Sequence, residues 1–190
     1  MKSIILILLA TASFASHAEC LKDYDRELFP HWLDIDSDGL DARKQAIKLQ
    51  MVNESLYYDP YTGTNYDPKA NVPDVDHLVP LKLAWQRGAN CWTTEKRQAF
   101  ANDPLNLVAV HLSANRQKSA KSIYDWMPSN LSYCSDYLER LKLIVEKYEL
   151  KPTGGDLKAH KIMARECKRL EKGIKVDYYR TWLEKLGVTF

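Results

Sequence analysis

Beyond its first ten residues the sequence has no long hydrophobic run, and nowhere a Cys-x-x-Cys pair or an excess of either charge. The missing run leaves no segment near the roughly 20 apolar residues that span a bilayer. The absence of paired cysteines argues against a structural zinc site, which takes closely spaced thiolates. The charge balance, 27 Lys+Arg against 25 Asp+Glu in 190 residues, excludes a disordered polyelectrolyte. It also excludes nucleic-acid binding by bulk charge, so any such binding needs a local basic patch. Seven glycines and 8 prolines rule out collagen-like and low-complexity chains. His-Glu-x-x-His, Gly-x-Ser-x-Gly, a P-loop and a glycine-rich dinucleotide turn are all missing. What is present is apolar material for one packed core, including 5 Trp, 11 Tyr and 4 Phe.

The N-terminus reads as an address. Lys2 precedes an apolar run, Ile4 to Ala10, and Ser16-His17-Ala18 fits a small-x-small cleavage pattern. Residues 1–18 are therefore expected to be a signal peptide and 19–190 a single domain, secreted or periplasmic. Export gives the four cysteines (Cys20, Cys91, Cys134, Cys167) an oxidising compartment, and four allow three pairings. Helical phase chooses among them. Cys134, Leu138, Leu141, Val145 and Tyr148 form one apolar stripe, and Ala159, Met163, Cys167, Leu170 and Ile174 form another. Packing these stripes together predicts Cys134–Cys167. Cys20–Cys91 then follows by elimination.

The pattern predicts a helix capped by Asp41 and running into the Asn53 region. Turns with extended pieces follow over 57–68, then a strand within 72–81 and short helices ending at Gly88 and Phe100. A strand over 105–110 leads to a helix from about Ser113 to Lys121. Two long helices fill 133–150 and 156–172, and a last amphipathic piece ends at Leu186. One mostly helical α+β domain accommodates all of this, with no internal repeat.

Chemistry concentrates in two blocks, PDVDHLVP (73–80) and DPLNLVAVHLSANRQKS (103–119). A carboxylate beside a histidine, with asparagines downstream, combines hard-metal ligands with a general base. Asp76 and the amide oxygen of Asn115 suit Mg²⁺. His77 has a side chain that can deprotonate water near neutrality. The competing reading is a polar strand surface and an ordinary turn. Neighbours on a regular strand point to opposite faces, so a joint site for Asp76 and His77 needs the backbone to leave regular geometry before Pro80.

VDHLVP followed by NLVAVHLSANRQKS resembles the HNH motif of the His-Me finger (ββα-metal) superfamily, particularly the secreted bacterial HNH endonucleases. The likeness also takes in YDRELFPHWLDIDSDGLDAR (24–43), YDPYTGTNYDP and the Trp126-x-Pro128 segment. The resemblance implies a fold built around a ββα-metal core at about 72–122. It implies an endonuclease acting on DNA, with RNA as a second substrate, with little sequence specificity and 5′-phosphate products. Asp76 and Asn115 would hold one divalent ion, Mg²⁺ first and Mn²⁺ or Ca²⁺ as alternatives. His77 would activate water, and Asn106 would hold the loop and orient the histidine. His111 is the rival ligand. Arg43, Arg116 and Lys118 would meet phosphate, the last two unless they form a solvated helix face, and Asp41 and Arg43 are candidates for site support. His31 and Trp32 are expected to pack. The chain is read as a monomer, with an inhibitor protein as partner if it serves as an antibacterial toxin.

Two features stand apart from that motif. Asp34, Asp36, Asp38 and Gly39 have calcium-loop spacing, but Gln45 replaces the twelfth-position Glu. A calcium-binding exported module without catalysis is the rival reading they support. Lys158, Lys161, Arg165, Lys168 and Lys172 form a basic stripe opposite the Met163–Cys167 stripe, suited either to phosphates or to solvent.

Overall fold

The structure, a computed structural model, describes residues 20–172; the expected signal segment and the amphipathic piece ending at Leu186 lie outside the described residues. The Asp41 carboxylate accepts the Lys44 N–H and starts helix α1 (Ala42–Gln50). The helix ends before the Asn53 region because the chain turns there into strand β1 (Met51–Asn53), which pairs antiparallel with β2 (Leu56–Asp59). β2 pairs in turn with β3 (Thr64–Tyr66). The turn between them places Gly63 at φ +72°, and a Cβ there would stand 3.0 Å from the Asn130 side chain.

The second sheet sits deeper. Strand β4 (Asp74–His77) pairs antiparallel with β5 (Leu107–Val110), with Asp76 opposite Val108 and His77 opposite Leu107. Helices α2 (Leu81–Gln86) and α3 (Thr94–Asn102) fill the connection, α3 being capped by the Thr93 hydroxyl. Helix α4 (Leu112–Lys118) follows β5 directly and packs on β4. It stops three residues short of the expected Lys121, where Ser119 adopts φ +51°. Every residue of β5 is buried, because both faces of this small sheet are covered. Val108 and Val110 face the main core with Phe100, Met127 and Ile144, while Val75, Leu107 and Ala109 pack on Ala42 and Ala46 of α1.

Helices α5 (Cys134–Tyr148) and α6 (Gly154–Glu171) complete the main core. Thr153 and Asp156 form a reciprocal capping box at the start of α6, and Arg87 pairs with Asp156 at 2.9 Å. Cys134 is bonded to Cys167, as helical phase predicts, and Cys20 to Cys91. The result is a mixed α/β domain with two small sheets, in which helix makes up a little under half of the described residues rather than most of them.

Candidate active site around strand β4

Period-two alternation along β4 distributes its polar side chains to two faces. Asp74 and Asp76 point toward α4. The Asp76 carboxylate is buried, and its Oδ2 accepts the Tyr61 hydroxyl at 2.5 Å and pairs with Lys118 Nζ at 2.8 Å. Burial raises this carboxyl above its ordinary range, opposed by the Lys118 ammonium and the Tyr61 hydroxyl. Burial likewise lowers the Lys118 ammonium, opposed by Asp76. Asp59 positions Tyr61: its carboxylate accepts the Tyr61 N–H, the Thr62 hydroxyl and the His111 N–H.

His77, the last residue of β4, turns to the other face, where only 5 % of it is exposed. One ring nitrogen, Nε2, lies 2.8 Å from the Ala101 carbonyl. A carbonyl only accepts, so Nε2 carries the hydrogen and Nδ1 keeps the lone pair. Burial pushes the imidazole down to about 3, opposed by the Ala101 hydrogen bond. His31 and Trp32 do pack, and what they pack against is this ring. Trp32, at φ +61°, stands 5.5 Å from it, and 5.8 Å separate its ring from the Arg43 guanidinium.

Although the two faces diverge, they meet at one open cleft of about 550 Å³ at the edge of the sheet. Asp74, Asp76, His77, Arg43 and Asn115 all line it. Asn115 is not hydrogen-bonded to Asp76; its Nδ2 donates to Asp74 Oδ2 at 2.7 Å. Asp74 also pairs through Oδ1 with Arg43, which reaches the Pro73 carbonyl as well. Three oxygen-bearing side chains on one cleft fit a hard divalent cation, while the cysteines, all disulfide-bonded, offer no soft alternative. Arg26, Lys82 and Arg116 are exposed on the same cleft. They put three exposed cations along the cleft of a chain that is near neutral as a whole.

Other expected residues sit differently. Asn106 holds the loop after β4: its Oδ1 accepts the Val79 N–H and its carbonyl accepts the Leu78 N–H. It makes no bond to His77, which the Ala101 carbonyl orients instead. Lys118 is 0 % exposed and donates to the His77 carbonyl as well as pairing with Asp76. It is neither a surface phosphate contact nor part of a solvated face, because α4 ends by turning its last side chain under β4. His111 caps α4 through Ser113 and contacts Asn71, away from the cleft lining. Asp34, Asp36 and Asp38 lie together on the surface, and Gln45 donates to Asp36. The α6 stripe is exposed but does not line the cleft. Tyr61, Asp74, Arg26 and Lys82 were missed. Only Asp74 had a local signal: two residues before Asp76, it shares that residue's face of the strand.

Comparisons with known proteins place the chain in a family. A secreted fungal protein of Arthroderma benhamiae, described as uncharacterised, is 32 % identical over 156 residues, covering 76 % of each chain. A fungal relative removes the restriction to bacteria that the motif resemblance carried. No solved structure matches the chain. Residues 26–153, more than half of the sequence and all of the cleft lining except Tyr24, match the family model described as GmrSD restriction endonucleases, C-terminal domain. The chain therefore belongs to the family of GmrSD restriction endonuclease C-terminal domains.

Proposed function

We propose that this protein is an exported HNH endonuclease that hydrolyses phosphodiester bonds of DNA, and of RNA as a second substrate, with little sequence specificity. One observation carries the reading. A histidine whose Nε2 is committed to a backbone carbonyl, leaving the lone pair on Nδ1, lines a cleft that also holds oxygen-bearing side chains and exposed cations. The β4–β5–α4 unit is read as the ββα core, Asp76 and Asn115 as ligands, and residues 1–18 as the export signal. A divalent cation held there, most simply Mg²⁺, would neutralise charge on the scissile phosphate and the leaving 3′ oxygen.

The protein's own groups do the rest. His77 Nδ1 takes a proton from the attacking water, and the Ala101 carbonyl stabilises the imidazolium through Nε2–H. Burial keeps the ring neutral at physiological pH, so the lone pair is available before substrate arrives. The phosphate then favours the protonated form. Lys118 and Tyr61 hold Asp76 in a single orientation. Asn106 fixes the loop behind the base, and Arg26, Lys82 and Arg116 attract the phosphate backbone without reading bases. The products carry 5′-phosphate and 3′-hydroxyl ends.

Digestion of plasmid DNA and of RNA, with and without EDTA, tests the reading. Cleavage should require the ion and should fall about 10²–10⁴-fold in His77→Ala, mainly in kcat. Wild-type cleavage by His77→Ala, or activity that survives exhaustive chelation, removes the HNH assignment.

A further inference from the structure

The bond between Asp74 and Asn115 has a consequence for how Asn115 can act. An amide side chain has two faces of opposite character, and only its oxygen can bind a cation. The two orientations are nearly equal in shape, so something must choose between them. Here an acceptor-only group makes the choice. Asp74 Oδ2 lies 2.7 Å from Asn115 Nδ2, a distance at which two facing oxygens would repel. The Asn115 nitrogen is thereby held against Asp74, and its oxygen is directed elsewhere. The other carboxylate oxygen, Oδ1, is engaged by Arg43 at 3.3 Å and by the Val75 N–H at 2.9 Å, so Asp74 is itself fixed from two sides. Arg43 is anchored to the Pro73 carbonyl and stands against the Trp32 ring. Helix α1, strand β4 and helix α4 are joined through this one carboxylate.

Resting on the endonuclease reading above, we propose that Asp74 is a positioning residue that sets the amide of Asn115 with its oxygen available to the metal, and that Arg43 supports it by holding the carboxylate in place. Asp74 then acts on the metal only through Asn115. Partners that orient a ligand in this way typically contribute 10- to 100-fold to metal affinity.

A double-mutant cycle read by Mn²⁺ binding to the intact chain, without nucleic acid, tests this. Isothermal titration should give an affinity about 10- to 100-fold lower for Asp74→Ala and for Asn115→Ala than for the wild type. In the Asn115→Ala background, Asp74→Ala should cause no further loss. Asp74→Asn keeps the shape of the side chain but lets the Asn115 amide turn over, so it should weaken Mn²⁺ binding while leaving the unfolding temperature near wild type. Additive losses in the double variant would make Asp74 a direct ligand and overturn the proposal. Unchanged affinity in Asp74→Asn and Asp74→Ala would overturn it equally. A wild-type chain that binds no Mn²⁺ fails earlier, overturning the metal reading itself and with it this role.

Discussion

A histidine buried as deeply as His77 ties the base to the stability of the fold. Its folded-state value, near 3, lies below the ordinary 6.5 or so, so between those limits the unfolded chain binds more protons than the native one. The stability this burial allows is complete above about pH 6.5 and is lost as the pH falls toward 3. Denaturant unfolding between pH 6.5 and 4.5 should show a slope approaching about 1.4 kcal/mol per pH unit, and His77→Gln should flatten it. An equal slope in both proteins would place the acid sensitivity elsewhere. Asp156, also held low against its burial by Thr153 and Arg87, contributes only at more acidic pH. Catalysis separates the residues in another way. Asp76→Ala and Asn115→Ala should regain part of their activity at high Mg²⁺ or Mn²⁺, whereas His77→Ala should not. That Asp76, His77 and Asn115 share one cleft was legible because two short blocks, 73–80 and 103–119, concentrate the chemistry-bearing residue types. Tyr61 and Arg26 were not, since Tyr61 meets Asp76 from the buried side and Arg26 reaches the cleft from far upstream, and no local period marks either meeting.

At the scale of elements, the exposed cations fall into two groups with different places in the molecule. Arg26, Lys82 and Arg116 line the cleft, while Lys161, Arg165 and Lys168 stand on the outer face of α6. Each phosphate neutralised contributes about 0.9 to the slope of log affinity against log salt on duplex DNA. Replacing the cleft group by Ala should therefore flatten the salt dependence of DNA binding, and replacing the α6 group should leave it unchanged. The reverse result would move the nucleic-acid path to α6. Asp41→Ala removes the cap of the helix that covers one face of the β4–β5 sheet, and should cost about 1 kcal/mol in thermal unfolding. The cap of α1 and the existence of β4, β5, α5 and α6 could all be read from pattern. Two helix ends could not. α1 stops where β2 offers Met51 a strand partner, and α4 stops where Lys118 finds an anion beneath β4. Both endings depend on residues distant in sequence.

Over the whole molecule, the two disulfides close loops separated by 71 and 33 residues, one anchoring the N-terminal segment and the other joining α5 to α6. Loops of this size are worth a few kcal/mol each. Reduction, or Cys134→Ala with Cys167→Ala, should accordingly lower the unfolding temperature, and wild-type thermal stability after full reduction would contradict that. The α5–α6 bridge was legible because two apolar stripes carried their cysteines in phase; the other was only what remained. The two bridges also follow one another along the chain without interleaving. A chain emerging N-terminus first into an oxidising space presents Cys91 when Cys20 is its only available partner, and Cys134 appears 43 residues later. Pairing in order of arrival thus yields the native connectivity. A chain released from denaturant with all four thiols exposed must instead sort three connectivities. Recovery of native protein should therefore be faster and more complete for chains oxidised during translocation than for chains oxidised after it.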